Sequence, residues 1–300
     1  MNGNRFFAFC CLAAALCLPV ACAEDDGSGG GDAALDGGGQ MDAVDGEAPA
    51  CTRESLSARG DDYLDALVAH DATRLDLASD VKFTENAELL EVGQGLWQKA
   101  GEVRFQRSAL DSERCGTHTE AVLDEDGEPI IFGVRLQLVD DEIAEIETYV
   151  VRQGDYFLFS PDGVVVSDTA GGDVHWEDII PEDQRNTREE LNHIADLYFE
   201  SFGPAGHVAP MQNDCYRWED GVRTTDGDCS LWLPASGQGQ EGTITHRRYP
   251  VTDVEAGIAI GYVLFRDALD FHMFKIVDGD IRLIEAVITG SGYTSSGWDE

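Results

Sequence analysis

The chain has 300 residues, 43% of them apolar, which is enough to build folded cores. Twenty Lys and Arg stand against 58 Asp and Glu, a formal net charge of −38. That balance excludes nucleic acid as a partner, which needs a basic footprint, and disfavours adsorption to an anionic membrane surface.

In chain order, the first element reads as an export signal over residues 1–21. Arg5 supplies the positive start, and the apolar run from Phe6 to Leu18 is too short to span a bilayer and suits a signal core. Two cleavage readings stand. Leu18-Pro19-Val20-Ala21-Cys22 resembles a lipobox, which makes Cys22 the lipid-bearing first residue of a membrane-anchored lipoprotein. Ala21-Cys22-Ala23 also fits ordinary small-residue cleavage, which gives a soluble secreted or periplasmic protein. Residues 22–50 follow as a tether. From Ala23 to Ala50 the chain holds eight Gly, eight acids and no base, and such a segment cannot bury enough apolar surface to offset its ordering entropy. A charge of −31 remains once the first 50 residues, with their eight acids and single Arg5, are set aside. Lys82, Lys99 and Lys275 are the chain's only lysines, and so acidic a surface suits salty water, where screening relieves self-repulsion.

Four cysteines remain beyond the tether: Cys51, Cys115, Cys215 and Cys229. In an exported body they suggest disulfides, with three possible pairings. The local pairing, Cys51–Cys115 and Cys215–Cys229, is expected, one bridge per half, worth roughly 4 and 3 kcal/mol by loop-entropy arguments. No short-spaced Cys or His pair of the zinc type is present, and no motif calls for a metal or a cofactor.

The body reads as two halves of one pattern, 51–165 and 187–300, joined by a connector over 166–186 in which Trp176, Ile179 and Ile180 are expected to pack. Leu56, Tyr63 and Leu67 fall on one helical face, as do Leu191, Ile194, Tyr198 and Phe202 after the Thr187/Glu190 capping box. Each half closes on strand, acidic turn, strand: Leu138 to Ile143 before Glu147, and Ile276 to Ile281, with Asp278-Gly279, before Glu285. Between these lie β-rich runs at Thr119–Leu123, Ile130–Val139, Thr243–Tyr249 and Ile258–Phe265. Each half is therefore an N-terminal helix followed by a curved antiparallel sheet, an α+β class.

Tyr63-Leu64-Asp65-Ala66-Leu67-Val68-Ala69-His70-Asp71 through Val81-Lys82-Phe83-Thr84-Glu85-Asn86 resembles the nuclear-transport-factor-2-like superfamily, the cone-shaped fold of ketosteroid isomerase and SnoaL-like polyketide cyclases. Phe105 to Ser108, Cys115 to Glu120, Trp176 to Arg188 and Arg247-Arg248-Tyr249 further resemble exported bacterial and fungal proteins of unknown function built from two such units. The resemblance implies two tandem cones, each enclosing a pocket. It also implies a carboxylate base on the first strand and a tyrosine donor on the first helix, which fall here on Glu85 and Tyr63. In such a pocket a desolvated Glu85 would abstract a proton beside a carbonyl while the Tyr63 hydroxyl held the oxyanion. The alternative for both is structural, a core aromatic and a strand-end charge.

Arg107 corresponds to Arg248 in the repeat. Such a pair could clamp a carboxylate or phosphate, or form internal salt bridges with Glu85 or Glu219. Glu147 and Glu285 occupy matching places in the last strands. Alternation puts Glu285 on an apolar face with Ile281, Leu283 and Val287, where it is paired or lines a cavity. His118 and His272 lie in strand-like runs and are candidates to reach a pocket. Three functions stay open: an anchored binding protein for a small organic molecule, a cofactor-independent isomerase, cyclase or lyase, and a non-catalytic surface interaction protein. If one half is active, the first is the expected seat.

Overall fold

The computed structural model describes residues 51–203, 206, 208–211, 214–232 and 243–298. The expected signal peptide (1–21), the tether (22–50) and Cys22 lie outside the described residues. Helix α1 (Arg53–Val68) is followed by β1 (Leu77–Glu85), β2 (Glu88–Leu90), β3 (Ala100–Asp111), β4 (Gly116–Glu125), β5 (Glu128–Val139) and β6 (Glu142–Val151). The short α2 (Pro161–Ser167) crosses the expected boundary at 165. Then come α3 (Arg188–Glu200), β7 (Cys215–Glu219), β8 (Val222–Gly227), β9 (Ile244–Asp253), β10 (Ile258–Phe265), β11 (Ala268–Val277) and β12 (Asp280–Ser291).

Two six-stranded sheets result, ordered β2-β1-β6-β5-β4-β3 and β8-β7-β12-β11-β10-β9. The fold is α+β, but the sheets are mixed rather than antiparallel. Local hairpins make β3 to β6 and β9 to β12 antiparallel, whereas β1 and β7 reach the last strand of their half from a distance and pair with it in parallel. Five hairpins turn on two left-handed residues each: Asn86-Ala87, Asp126-Gly127, Asp140-Asp141, Asp220-Gly221 and Asp278-Gly279. Disulfides join Cys51 to Cys115 and Cys215 to Cys229.

Strand alternation gives each sheet two buried faces. On one face of the first sheet, Phe83, Phe132, Val134 and Ile146 pack with Tyr63, Leu64 and Leu67 of α1. On the corresponding face of the second, Phe274, Ile284 and Ala259 pack with Leu191, Tyr198 and Phe199 of α3. The other faces meet each other in a shared core, where Val122, Ile131 and Tyr149 pack with Tyr262, Phe271 and Val287. A Cβ at Gly133 would lie 2.4 Å from the Phe271 ring, so only glycine admits that ring to the first sheet. Trp176 and Ile180 of the connector are buried, but Ile179, next in line on the opposite side of the backbone, is 49% exposed.

Helices α1 and α3 both begin with arginine, an unfavourable charge at a helix N-terminus. The contacts explain it. Arg53 pairs with Asp253 of the second half at 2.5 Å, and Arg188 pairs with Asp111 of the first. Each aspartate also accepts a backbone N–H from the opposite half, Leu110 to Asp253 and Thr252 to Asp111, both at 2.9 Å. A turn N–H three residues on completes each set, from Ala256 and Arg114. The two halves are thus latched reciprocally, as in an isologous dimer made within one chain. The described residues accordingly form one compact body.

Candidate functional site

The registers fix which residues of the two halves correspond. Glu147 faces Thr84 on one side and Arg135 on the other, and Glu285 faces Trp218 and Met273. Equating the two glutamates equates Glu85 with Glu219, Phe83 with Arg217, Phe132 with Asp270 and Val134 with His272. It also equates Arg107 with Arg248, through the neighbouring pairs Arg107–Glu120 and Arg248–Tyr262. Tyr63 and Tyr198 are each the eleventh residue of their helix.

Five of the expected site residues lie in the seam where the sheets meet. Arg107 donates to Glu120 (2.7 Å), to Ser167 (2.9 Å) and to Glu285 (3.3 Å). Arg248 donates to Glu147 (2.6 Å), which also receives Arg135 (2.9 Å). The repeated arginine of each half therefore meets the repeated glutamate of the other. Glu85 and Glu219 are not its partners, because strand parity turns them to the helix side. His118 sits among these groups with Nδ1 2.7 Å from the Tyr262 hydroxyl. Burial first, then Arg107 and Arg135, hold its pKa down to about 3, so the ring is neutral. Burial and the neighbouring Glu120 push Glu285 up to about 8. A register shift between Lys275 and Ile276 turns Ile281 to the α3 side, while Leu283 and Val287 stay with the seam core.

Glu85 and Tyr63 lie on the helix side of the first sheet. The Tyr63 hydroxyl is wholly buried without an aligned hydrogen-bond partner, its ring edge-on to Trp97 at 5.4 Å. Glu85 sits at the strand end and accepts the Leu96 N–H at 2.7 Å. A Cβ at Gly95 would lie 2.5 Å from that carboxylate, so the left-handed glycine makes room for it. Burial raises the Glu85 carboxyl above its usual range. No hydrogen bond joins the two side chains, and Phe83, Leu96, Phe132 and Val134 fill the surrounding core.

The helix side of the second sheet is different. Arg217 Nε donates to the Tyr198 hydroxyl at 2.9 Å, and its Nη1 donates to Glu219 at 2.7 Å and Thr224 at 2.9 Å. On β11, Asp270 and His272 project to this same face with Phe274. His272 Nδ1 lies 2.9 Å from Asp270 Oδ1, yet the pair is not aligned for a hydrogen bond. That leaves Asp270 Oδ1 and both His272 nitrogens buried without aligned partners. His272 is stacked on Phe274 and edge-on to Phe199, which fixes its ring. Burial raises the Asp270 carboxyl, and that of Asp220 well above its usual range. Half-buried Tyr156, from the segment after β6, stands beside Glu219 at the rim.

Sequence reasoning named Glu219 and His272 but missed Arg217, Asp270 and Tyr198 as their companions. The signal was available as two polar i, i+2 pairs in apolar strands, Arg217-Trp218-Glu219 and Asp270-Phe271-His272, each of which alternation sends to one face. Among the described residues, no group of three or more His, Cys, Asp or Glu is arranged to hold a metal ion.

Residues 184–288, which enclose this cluster apart from Tyr156, match a family described as a domain of unknown function (DUF8021). No curated protein matches the chain. Among solved structures, an M. tuberculosis LEH-like epoxide hydrolase aligns at 19% identity over 32% of this chain and 81% of its own, with a TM-score of 0.25.

Proposed function

We propose that the chain is an exported, lipid-anchored protein that binds a small organic ligand inside its second half, the interior of the second of two cone-shaped units. The carrying observation is the buried Asp270–His272 pair, 2.9 Å apart, whose His272 Nε2 has no partner and lies on the same sheet face as Arg217. Buried polar atoms are nearly always satisfied, so such a cluster calls for water or for the hydroxyl or carbonyl of a bound molecule. The two disulfides support an oxidising, extracytoplasmic setting, and the lipobox at Cys22 supports the anchor.

A second reading, an isomerase, cyclase or lyase with Glu85 as base and Tyr63 as oxyanion donor, has one observation in its favour: the raised carboxyl of Glu85. The filled core around Tyr63 weighs against it. Native mass spectrometry of the full chain, purified gently from its source, tests the first reading. A bound organic mass that disappears in His272→Ala is the expected result. A ligand retained in His272→Ala but lost in Glu85→Gln would move the site to the first half. An unliganded chain would turn the proposal towards a protein partner.

A further inference from the structure

In a chain carrying 58 acids and 20 bases, the bases are expected to be spread among carboxylates. One groove departs from this. It holds about 640 Å³ and is lined by Lys82, Arg114, Arg135, Arg247 and Arg248 together with Trp298, while Glu145 is the single lining carboxylate among the described residues. It opens along the seam, between β1, β5 and β6 of the first half and β9 of the second.

The contacts show why positive charge persists there. Arg135 and Arg248 share the buried Glu147, so one carboxylate serves two guanidiniums. Lys82 is held by neutral groups: it donates to the Gly297 carbonyl at 2.6 Å and lies 3.8 Å over the Trp298 ring. Arg135 lies 4.7 Å from the same ring. Arg114 is exposed and makes no ion pair among the described residues. Arg247 pairs with Asp196 at 3.2 Å, and Arg135 also reaches Glu145 at 2.8 Å. Among the described residues, five cations thus face three carboxylates, on a body whose overall charge is strongly negative. Trp298, anchored by its Nε1–H to Thr84 at 2.8 Å, holds Lys82 and Arg135 in place without neutralising either.

We infer that this groove binds a small, multiply charged oxyanion, a phosphate- or polycarboxylate-bearing molecule. The partly exposed Arg247 and Arg248 and the Lys82 ammonium supply positive charge and N–H groups along one wall, and exposed Arg114 closes from the rim. The site is separate from the one proposed inside the second half, and either can fail without the other.

Isothermal titration of the full chain with inorganic pyrophosphate and, separately, with citrate provides the test. Saturable binding of at least one probe, at one site per chain, is expected. Arg114→Glu and Lys82→Glu should each weaken it at least about tenfold, the scale of reversing one close charge. Arg104→Glu makes the same change in net charge on β3, where Arg104 pairs with Asp124. It should leave affinity within about twofold, since distant exposed charges are screened. Failure of both probes to saturate, or equal weakening by Arg104→Glu, overturns the proposal. A citrate response without a pyrophosphate response narrows the ligand to carboxylates, and the converse narrows it to phosphates.

Discussion

Where the first half buries Phe83, Phe132 and Val134 in one core with Tyr63, the second half places Arg217, Asp270 and His272 around Tyr198. The strand order, the helix position of the tyrosine and the glutamate at the end of the first strand are the same in both. Three substitutions of apolar by polar groups separate an interior that stabilises from one that presents chemistry. The difference teaches that backbone correspondence transfers a location and not a role. Glu85 has the Arg152 guanidinium no closer than 3.9 Å, while Glu219 accepts directly from buried Arg217 at 2.7 Å.

The comparison can be broken hardest by forcing one half to resemble the other. Phe132→Asp copies Asp270 into a core without His272 or Arg217 to receive it. It should destabilise by more than about 4 kcal/mol, read as loss of a cooperative urea transition. Removing the cation from the second half comes next. Arg217→Met strands Glu219 and should cost about 3–5 kcal/mol, whereas Phe83→Leu at the matching place should cost no more than about 1.5 kcal/mol. Equal costs would mean that the second interior is held by packing and not by its ion pair.

The tyrosines sharpen the contrast on a smaller scale. Tyr198→Phe removes a hydrogen bond to a buried guanidinium and should cost about 2 kcal/mol. Tyr63→Phe deletes a hydroxyl with no aligned partner and should change stability by less than about 0.5 kcal/mol. The seam gives a signal of a different kind, a pH dependence. Glu285 is raised from the usual 4.5 to about 8, so the folded state binds the extra proton between those values. Its stabilising contribution is full below pH 4.5 and is lost as pH rises through 8. Glu285→Gln should flatten that slope in denaturation curves taken from pH 5 to 8.

Much of this arrangement could be read from the chain. The helix start at Thr187, the Asp278-Gly279 turn, and the repeated Arg107/Arg248 and Glu147/Glu285 all follow from local chemistry and spacing. What could not be read was which face of each sheet looks at a helix and which at the other sheet, because both faces are apolar. That is why Arg107, His118, Glu147, Arg248 and Glu285, expected near pockets, lie in the seam. The parallel closure of β1 on β6 depends on contacts far apart in sequence, and alternation has no memory across such distances. The shift that turns Ile281 away from Leu283 is a single-residue irregularity with no marker in the sequence. The register of Arg217 and Glu219 against Phe83 and Glu85 is set by the long-range pairing of Glu285 with Trp218, which has no local marker.

The reciprocal latch of Arg53 on Asp253 and Arg188 on Asp111 has a consequence for how such a molecule can change over time. Because each half closes the other's buried aspartate, neither can open without exposing a charge in its twin, so the two should melt as one cooperative unit. Within such a unit, stability is a shared property. A duplicated interior that stays apolar can then offset the burden of a sister interior filled with charged groups, and one copy is free to diverge while the other keeps the pair folded.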